Sequence, residues 1–123
     1  MKRKISKRVA IVTGGGSGIG LAIAKKFTEN QIDTVIIGRD ETKLRNAKKK
    51  LGSFCHTISY DLSRLEGIPA LVKTIIKDFG QIDILVNNAG INLKKEFTEV
   101  TDEEFQRILT TNVSAVFAIS REV

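Results

Sequence analysis

A chain of 123 residues has room for one domain with a modest core, and its 41% hydrophobic content excludes a disordered polymer. No apolar run approaches the ~18 residues of a membrane span, and the single cysteine, Cys55, cannot form an internal disulfide, which fits a reducing cytoplasm. The net charge of +6 is uneven, with the basic excess in residues 1–50 and a net acidic remainder. Phe27 is the only aromatic of the basic half, so a base-stacking nucleic-acid surface is not expected there. A basic half equally suits an anionic small molecule.

The basic segment Met1–Arg8 passes straight into the apolar run Val9–Val12, without the long apolar stretch and cleavage site of a signal peptide. Val9–Val12 reads as a first, buried strand. It runs into Thr13-Gly14-Gly15-Gly16-Ser17-Gly18-Ile19-Gly20, a turn rich enough in glycine for the backbone to approach a ligand closely. The helix that follows, Ile19–Glu29, aims its free N–H groups at that ligand and favours a phosphate there. Ile19, Ile23 and Phe27 share one face and are expected to point inward. The glycines at 14, 18 and 20 give Gly-x-x-x-Gly-x-Gly. This differs from both GxGxxG and the P-loop, since Gly20 is followed by Leu21 rather than Lys.

Thr34–Ile37 reads as a second buried strand. Asp40 is placed to cap a helix running to Leu51, with Leu44, Ala47 and Leu51 inward and Gly52 as its stop. Phe54–Tyr60 alternates as a third strand. Cys55 and His56 fall within it and read as packing residues, and no cluster has metal-ligand spacing. Ser63-Arg64-Leu65-Glu66 has the form of a capping box opening a helix to Gly80, with Pro69 kinking or delaying it. Ile82–Val86 is a fourth strand. Thr101-Asp102-Glu103-Glu104 is a second capping box, followed by Phe105, Ile108 and Leu109 on the inner side. That helical pattern, kinked near Asn112, runs on to Val123.

Continuous apolar strands separated by amphipathic helices predict an α/β fold, a three-layer αβα sandwich around a parallel sheet. Right-handed crossovers favour strand order 3-2-1-4, half of a doubly wound, Rossmann-like sheet stopping before a fifth strand. Ligands of such sheets lie across the carboxyl ends of the strands. The residues found there are the glycine loop, Gly38-Arg39-Asp40, Asp61-Leu62 and Asn87-Asn88-Ala89-Gly90.

With these residues the chain resembles the short-chain dehydrogenase/reductase family. The likeness rests on Thr13-Gly14-x-x-x-Gly18-Ile19-Gly20, Asp61-Leu62, Asn87-Asn88-Ala89-Gly90 and Asn112, in order and spanning nearly the whole chain. The resemblance implies that residues 1–123 are the N-terminal, incomplete portion of an NAD(P)-binding domain that serves carbonyl–alcohol interconversion. It implies that Gly14, Gly16, Ser17, Gly18, Ile19 and Gly20 cradle the adenosine-side phosphates. Asp61 and Leu62 would hold the adenine. Asn88, Ala89 and Gly90 would line the nicotinamide-side ribose, with Asn87 bracing the strand. Asn112 would be the helix-kinking residue of a catalytic water relay.

Arg39 bears on the choice of cofactor. NAD binding normally uses a carboxylate at the end of strand two. Here Gly38 stands at that position, followed by Arg39, whose guanidinium can pair with a 2′-phosphate. NADP is therefore the expected cofactor, with NAD as the alternative.

The family's acid–base pair, Tyr-x-x-x-Lys, has no counterpart in this sequence. Its one tyrosine, Tyr60, is followed four residues later by Arg64, and reads as structural. The expected partners of a complete protein are a small carbonyl or alcohol and further copies of itself, without nucleic acid, membrane or metal. The alternative is a non-catalytic dinucleotide-binding module with a regulatory or scaffolding role. A free edge on strand four would make the isolated 123 residues marginal or self-associating.

Overall fold

The computed structural model describes residues 8–90 and 96–123; the basic stretch from Met1 to Lys7 lies outside them. Four parallel strands form one sheet in the order β3-β2-β1-β4, as the crossover rule predicts. They are β1 (Val9–Thr13), β2 (Asp33–Gly38), β3 (Cys55–Ser59) and β4 (Ile84–Val86). All five residues of β1 are buried, because helices cover both faces of the sheet beside it.

Side chains alternate along the strands and so feed two cores. Ile11, Val35 and Ile37 pack with Ile68, Val72 and Ile75 of α3 (Ile68–Phe79) and with Ala115 and Ile119 of α5 (Ala115–Glu122). Val12 and Ile36 face the other way, onto Ala24 of α1 (Gly18–Glu29) and Leu44 and Ala47 of α2 (Glu41–Leu51). Complete burial of each large aliphatic side chain contributes about 1.5–3 kcal/mol.

Helix caps decide where several elements begin. The Asp40 carboxylate accepts the N–H groups of Thr42 and Lys43 at 2.9 and 3.1 Å, opening α2. Gly52 closes that helix with φ +84°, in the left-handed half of backbone space. Thr101 and Glu104 exchange both bonds of a capping box at the head of α4 (Asp102–Leu109). A single π turn, Thr110–Ser114, joins α4 to α5 at the kink expected near Asn112.

Four local expectations change. Ile19 is 74% exposed, and the face that α1 buries carries Gly20, Ala24 and Thr28 instead. These small residues let the helix axis lie close to the sheet, while Ile23 and Phe27 pack at the margin of that contact. Phe105 is likewise exposed rather than inward. Ser63 caps no helix, because the Asp61 carboxylate takes both its N–H and its hydroxyl, at 3.0 and 2.7 Å. A 3₁₀ turn, Leu65–Gly67, then leads into α3, where Pro69 sits in the first turn and its missing N–H breaks no helical bond. Finally, β4 starts at Ile84. Just before it, the Asp83 N–H bonds the Val9 carbonyl while the Asp83 side chain takes the Val9 N–H, both at 2.8 Å.

Replacing Ile11 by Ala should destabilise the chain by about 2–5 kcal/mol, whereas Ile19→Ala should change stability by less than about 0.5 kcal/mol. Urea unfolding of the two variants checks both values; similar losses would contradict the burial assigned to α1.

Candidate functional site

The turns after β1 and β4 are locked together at the carboxyl end of the sheet. The Thr13 hydroxyl accepts the N–H groups of Asn88 and Ala89, both at 2.9 Å. Asn88 returns the connection, its side-chain amide donating to the Gly14 carbonyl at 3.2 Å. Gly14 adopts φ +67°, and a Cβ there would stand 3.0 Å from the Ala89 Cα. A Cβ on Gly20 would lie 2.5 Å from the Asn88 amide nitrogen, so the head of α1 presses directly on the loop. A Cβ on Gly15 would come within 2.5 Å of the Ile36 side chain. Three glycines are thus required by close approach.

Around this locked loop lies a continuous groove. One part, about 260 Å³, runs between Gly14, Ser17, Ile37, Arg39, Asp61, Leu62 and the turn Asn88-Ala89-Gly90, with Thr111 at its margin. The other, about 450 Å³, extends over Gly16 and Ser17 to Arg39, Asp40, Lys43 and Leu44. Gly14, Ser17, Gly38 and Arg39 line both. The first turn of α1 contains no acidic residue and the Ser17 side chain makes no cap bond. The positive end of the helix dipole is therefore left to face an anion at the groove.

Most residues singled out from the sequence converge here, and some do not. Gly14, Gly16, Ser17, Arg39, Asp61, Asn88, Ala89 and Gly90 line the groove. Gly18, Ile19 and Gly20 line neither part; Gly20 is buried beneath the loop and Ile19 points to solvent. Leu62 is 7% exposed, packs in the α3-side core and offers the groove only an edge. Asn112 lies within the π turn, and a Cβ on Gly90 would be 3.2 Å from its side-chain oxygen. Asn87 reaches across to the Ser120 hydroxyl at 3.3 Å, tying the turn to α5.

Two contributors were given no role from the sequence, although Thr13 stands in the glycine motif. The role of Thr13 could have been suspected, since it is a hydroxyl residue ending a wholly buried strand. Lys43 had no such signal, because its place beside Arg39 follows from how α2 enters.

The charged groups have distinct settings. Asp61 is held below the usual carboxylate range, chiefly by the Ser63 hydroxyl, with the Ser63 N–H and the nearby Arg39 and Arg64 adding to the effect. Tyr60 is shifted the other way, upward, by burial and by Glu66, and its hydroxyl donates to the Arg64 carbonyl. That is opposite to the activation an acid–base tyrosine requires. His56 bonds Asp33 at 2.9 Å and packs on the Phe79 ring, while burial raises the Cys55 thiol; neither side chain lines the groove. Among the described residues no group of three or more His, Cys, Asp or Glu could hold a metal, and no helix is long and apolar enough to cross a membrane.

The family model described as short chain dehydrogenase matches residues 8–123. An NADP-dependent (R)-specific alcohol dehydrogenase of Lentilactobacillus kefiri is 39% identical over 119 residues, covering 95% of this chain and 47% of that protein. A metagenomic short-chain oxidoreductase solved in complex with NADP superposes with a TM-score of 0.88 at 30% identity, over 94% of this chain and 54% of the other. A 3-ketoacyl-(acyl-carrier-protein) reductase from Brucella melitensis, complexed with NADH, gives 0.87 at 36% identity, over 94% and 48%. The chain spans about half the length of the relatives it matches.

The depressed Asp61 pKa has a definite consequence for stability. A carboxylate whose folded pKa lies below its unfolded value of about 3.9 stabilises the fold above that value, and this contribution is lost as pH falls through the folded pKa. Asp61→Asn should therefore flatten the acid limb of the melting temperature below about pH 4 relative to the parent chain. An unchanged acid limb in the variant would contradict the assigned bonds. Thr13→Ala should destabilise by about 1–3 kcal/mol, because two N–H groups lose their acceptor, while Thr13→Ser should retain most of the stability. Denaturant titration separates the two variants.

Proposed function

The chain belongs to the short-chain dehydrogenase family, and we propose that it is the NADP(H)-binding part of an oxidoreductase interconverting a carbonyl and an alcohol by hydride transfer. The observation that carries the cofactor choice is Arg39. It follows Gly38 at the end of β2 and lines both parts of the groove, where an NAD site would offer a carboxylate. The neighbouring carboxylate, Asp40, is already engaged by two N–H groups at the head of α2. A guanidinium at this position can pair with the 2′-phosphate of NADP in a bidentate manner. The NADP-dependent alcohol dehydrogenase and the NADP-bound oxidoreductase among the relatives support a nicotinamide dinucleotide here.

The groove fits that group. No side chain stands on Gly14 or Gly16 to fill the space beside the loop, and the α1 terminus supplies positive charge. Gly14, Gly16 and Ser17 would hold the phosphates, with Gly18, Ile19 and Gly20 supplying the turn and helix start that orient them. Asp61 and the edge of Leu62 would border the adenine. Asn88, Ala89 and Gly90 would border the nicotinamide-side ribose, and Asn112, next to Gly90, would hold a relay water. When bound, the dinucleotide supplies or accepts the hydride. Tyr60 does not supply the accompanying proton, since its hydroxyl is bonded to Arg64 and its pKa is raised. In the whole protein the substrate would be a small carbonyl or alcohol and the assembly a homo-oligomer.

Calorimetric titration of the chain with NADP and NAD tests the proposal. NADP should bind more tightly, and Arg39→Ala should weaken it by about tenfold or more while altering NAD little. Equal losses for the two nucleotides would refute the cofactor assignment.

A further inference from the structure

We infer that Lys43 is the second cation of a phosphate-monoester subsite, acting with Arg39 to select a 2′-phosphorylated adenosine; this rests on the cofactor reading above. Lys43 lines the outer part of the groove together with Gly16, Ser17, Arg39 and Asp40. Its Cβ lies 3.4 Å from the point where a Cβ on Gly16 would stand, so the lysine stem rises directly beside the glycine loop.

Charge balance shows what this residue adds. Asp40 lines the same space and brings one negative charge, which Arg39 by itself would only cancel. A phosphate monoester carries about −1.5 to −2 at pH 7, so a neutral lining gives it little net attraction. With Lys43 the lining becomes net positive. The Asp40 carboxylate is also partly occupied, since it accepts the N–H groups of Thr42 and Lys43.

The position of Lys43 within its helix points the same way. It is the third residue of α2, in the first turn, at the positive end of the helix dipole, where a cation is unfavourable. The same chain places Glu104 at the equivalent position of α4, where it closes a capping box. In α2 a lysine stands where a glutamate or glutamine would serve the helix better. Departures of this kind from local helix preference are expected where a residue answers to a ligand.

The experiment compares Lys43→Gln, Lys43→Arg and Arg39→Ala by calorimetry against adenosine 2′,5′-bisphosphate and adenosine 5′-monophosphate, which differ only in the 2′-phosphate. Lys43→Gln should weaken the bisphosphate about tenfold and leave the monophosphate within about twofold. Its melting temperature should hold or rise, because the first turn of α2 gains a better residue. Lys43→Arg should restore binding. If Lys43→Gln weakens both nucleotides equally, or neither, while Arg39→Ala removes the preference for the bisphosphate, the role of Lys43 is overturned and the cofactor reading stands. If the parent chain does not distinguish the two nucleotides, both fall together.

Discussion

The Thr13 hydroxyl accepts two backbone N–H groups from the turn after β4, and the geometry of the groove follows from that pair of bonds. They set how far the Asn88-Ala89 turn stands from β1, leaving only enough room for glycine at position 14. With Gly14 fixed, its carbonyl receives the Asn88 amide, and Gly20 at the head of α1 can settle on the same atoms. Removal of any one of these small or hydroxylated residues would push the loop outward. A ligand cradle is thereby built from backbone held in place by side chains that do not themselves have to touch the ligand.

The charged groups are arranged in the same economical manner. Asp61 is engaged by Ser63 and flanked by Arg39 and Arg64, so it stays ionised as a fixed acceptor beside the groove. Asp40 caps α2 and its charge is balanced by Arg39, which leaves Lys43 to make the outer groove net positive. The basic character of the first 50 residues is thus given a local meaning at two of its members. The last turn of α2 accounts for three others, since Lys48, Lys49 and Lys50 sit where cations suit the helix dipole.

The sheet order was legible because it depends on long-range rules: continuous apolar strands, amphipathic crossovers and their handedness. The groove was legible for a related reason, since ligands gather where such strands end. Helix faces were harder. A periodicity count favours large apolar residues, yet α1 meets the sheet through Gly20, Ala24 and Thr28, and leaves Ile19 in solvent. The cap assigned to Ser63 failed because the Asp61 carboxylate takes the Ser63 N–H that a capping box would give to Glu66 and draws the hydroxyl to itself, a contest that spacing alone does not reveal. Lys43 escaped notice because only the packed entry angle of α2 brings it to the glycine loop.

The π turn at Thr110–Ser114 gives the end of the chain a phase of its own. One additional residue in a turn rotates everything beyond it by about 100° relative to an uninterrupted α-helix. With that rotation, Ala115, Ala118 and Ile119 meet the core, while Phe117 and Arg121 stack on the outside at 5.0 Å. Substitutions along α5 are therefore read in a frame set upstream. Closing this turn to α geometry with all of its residues kept would swing the face that α5 presents to the core by about 100° without altering any of its side chains. For this segment, length at the turn carries as much structural information as composition.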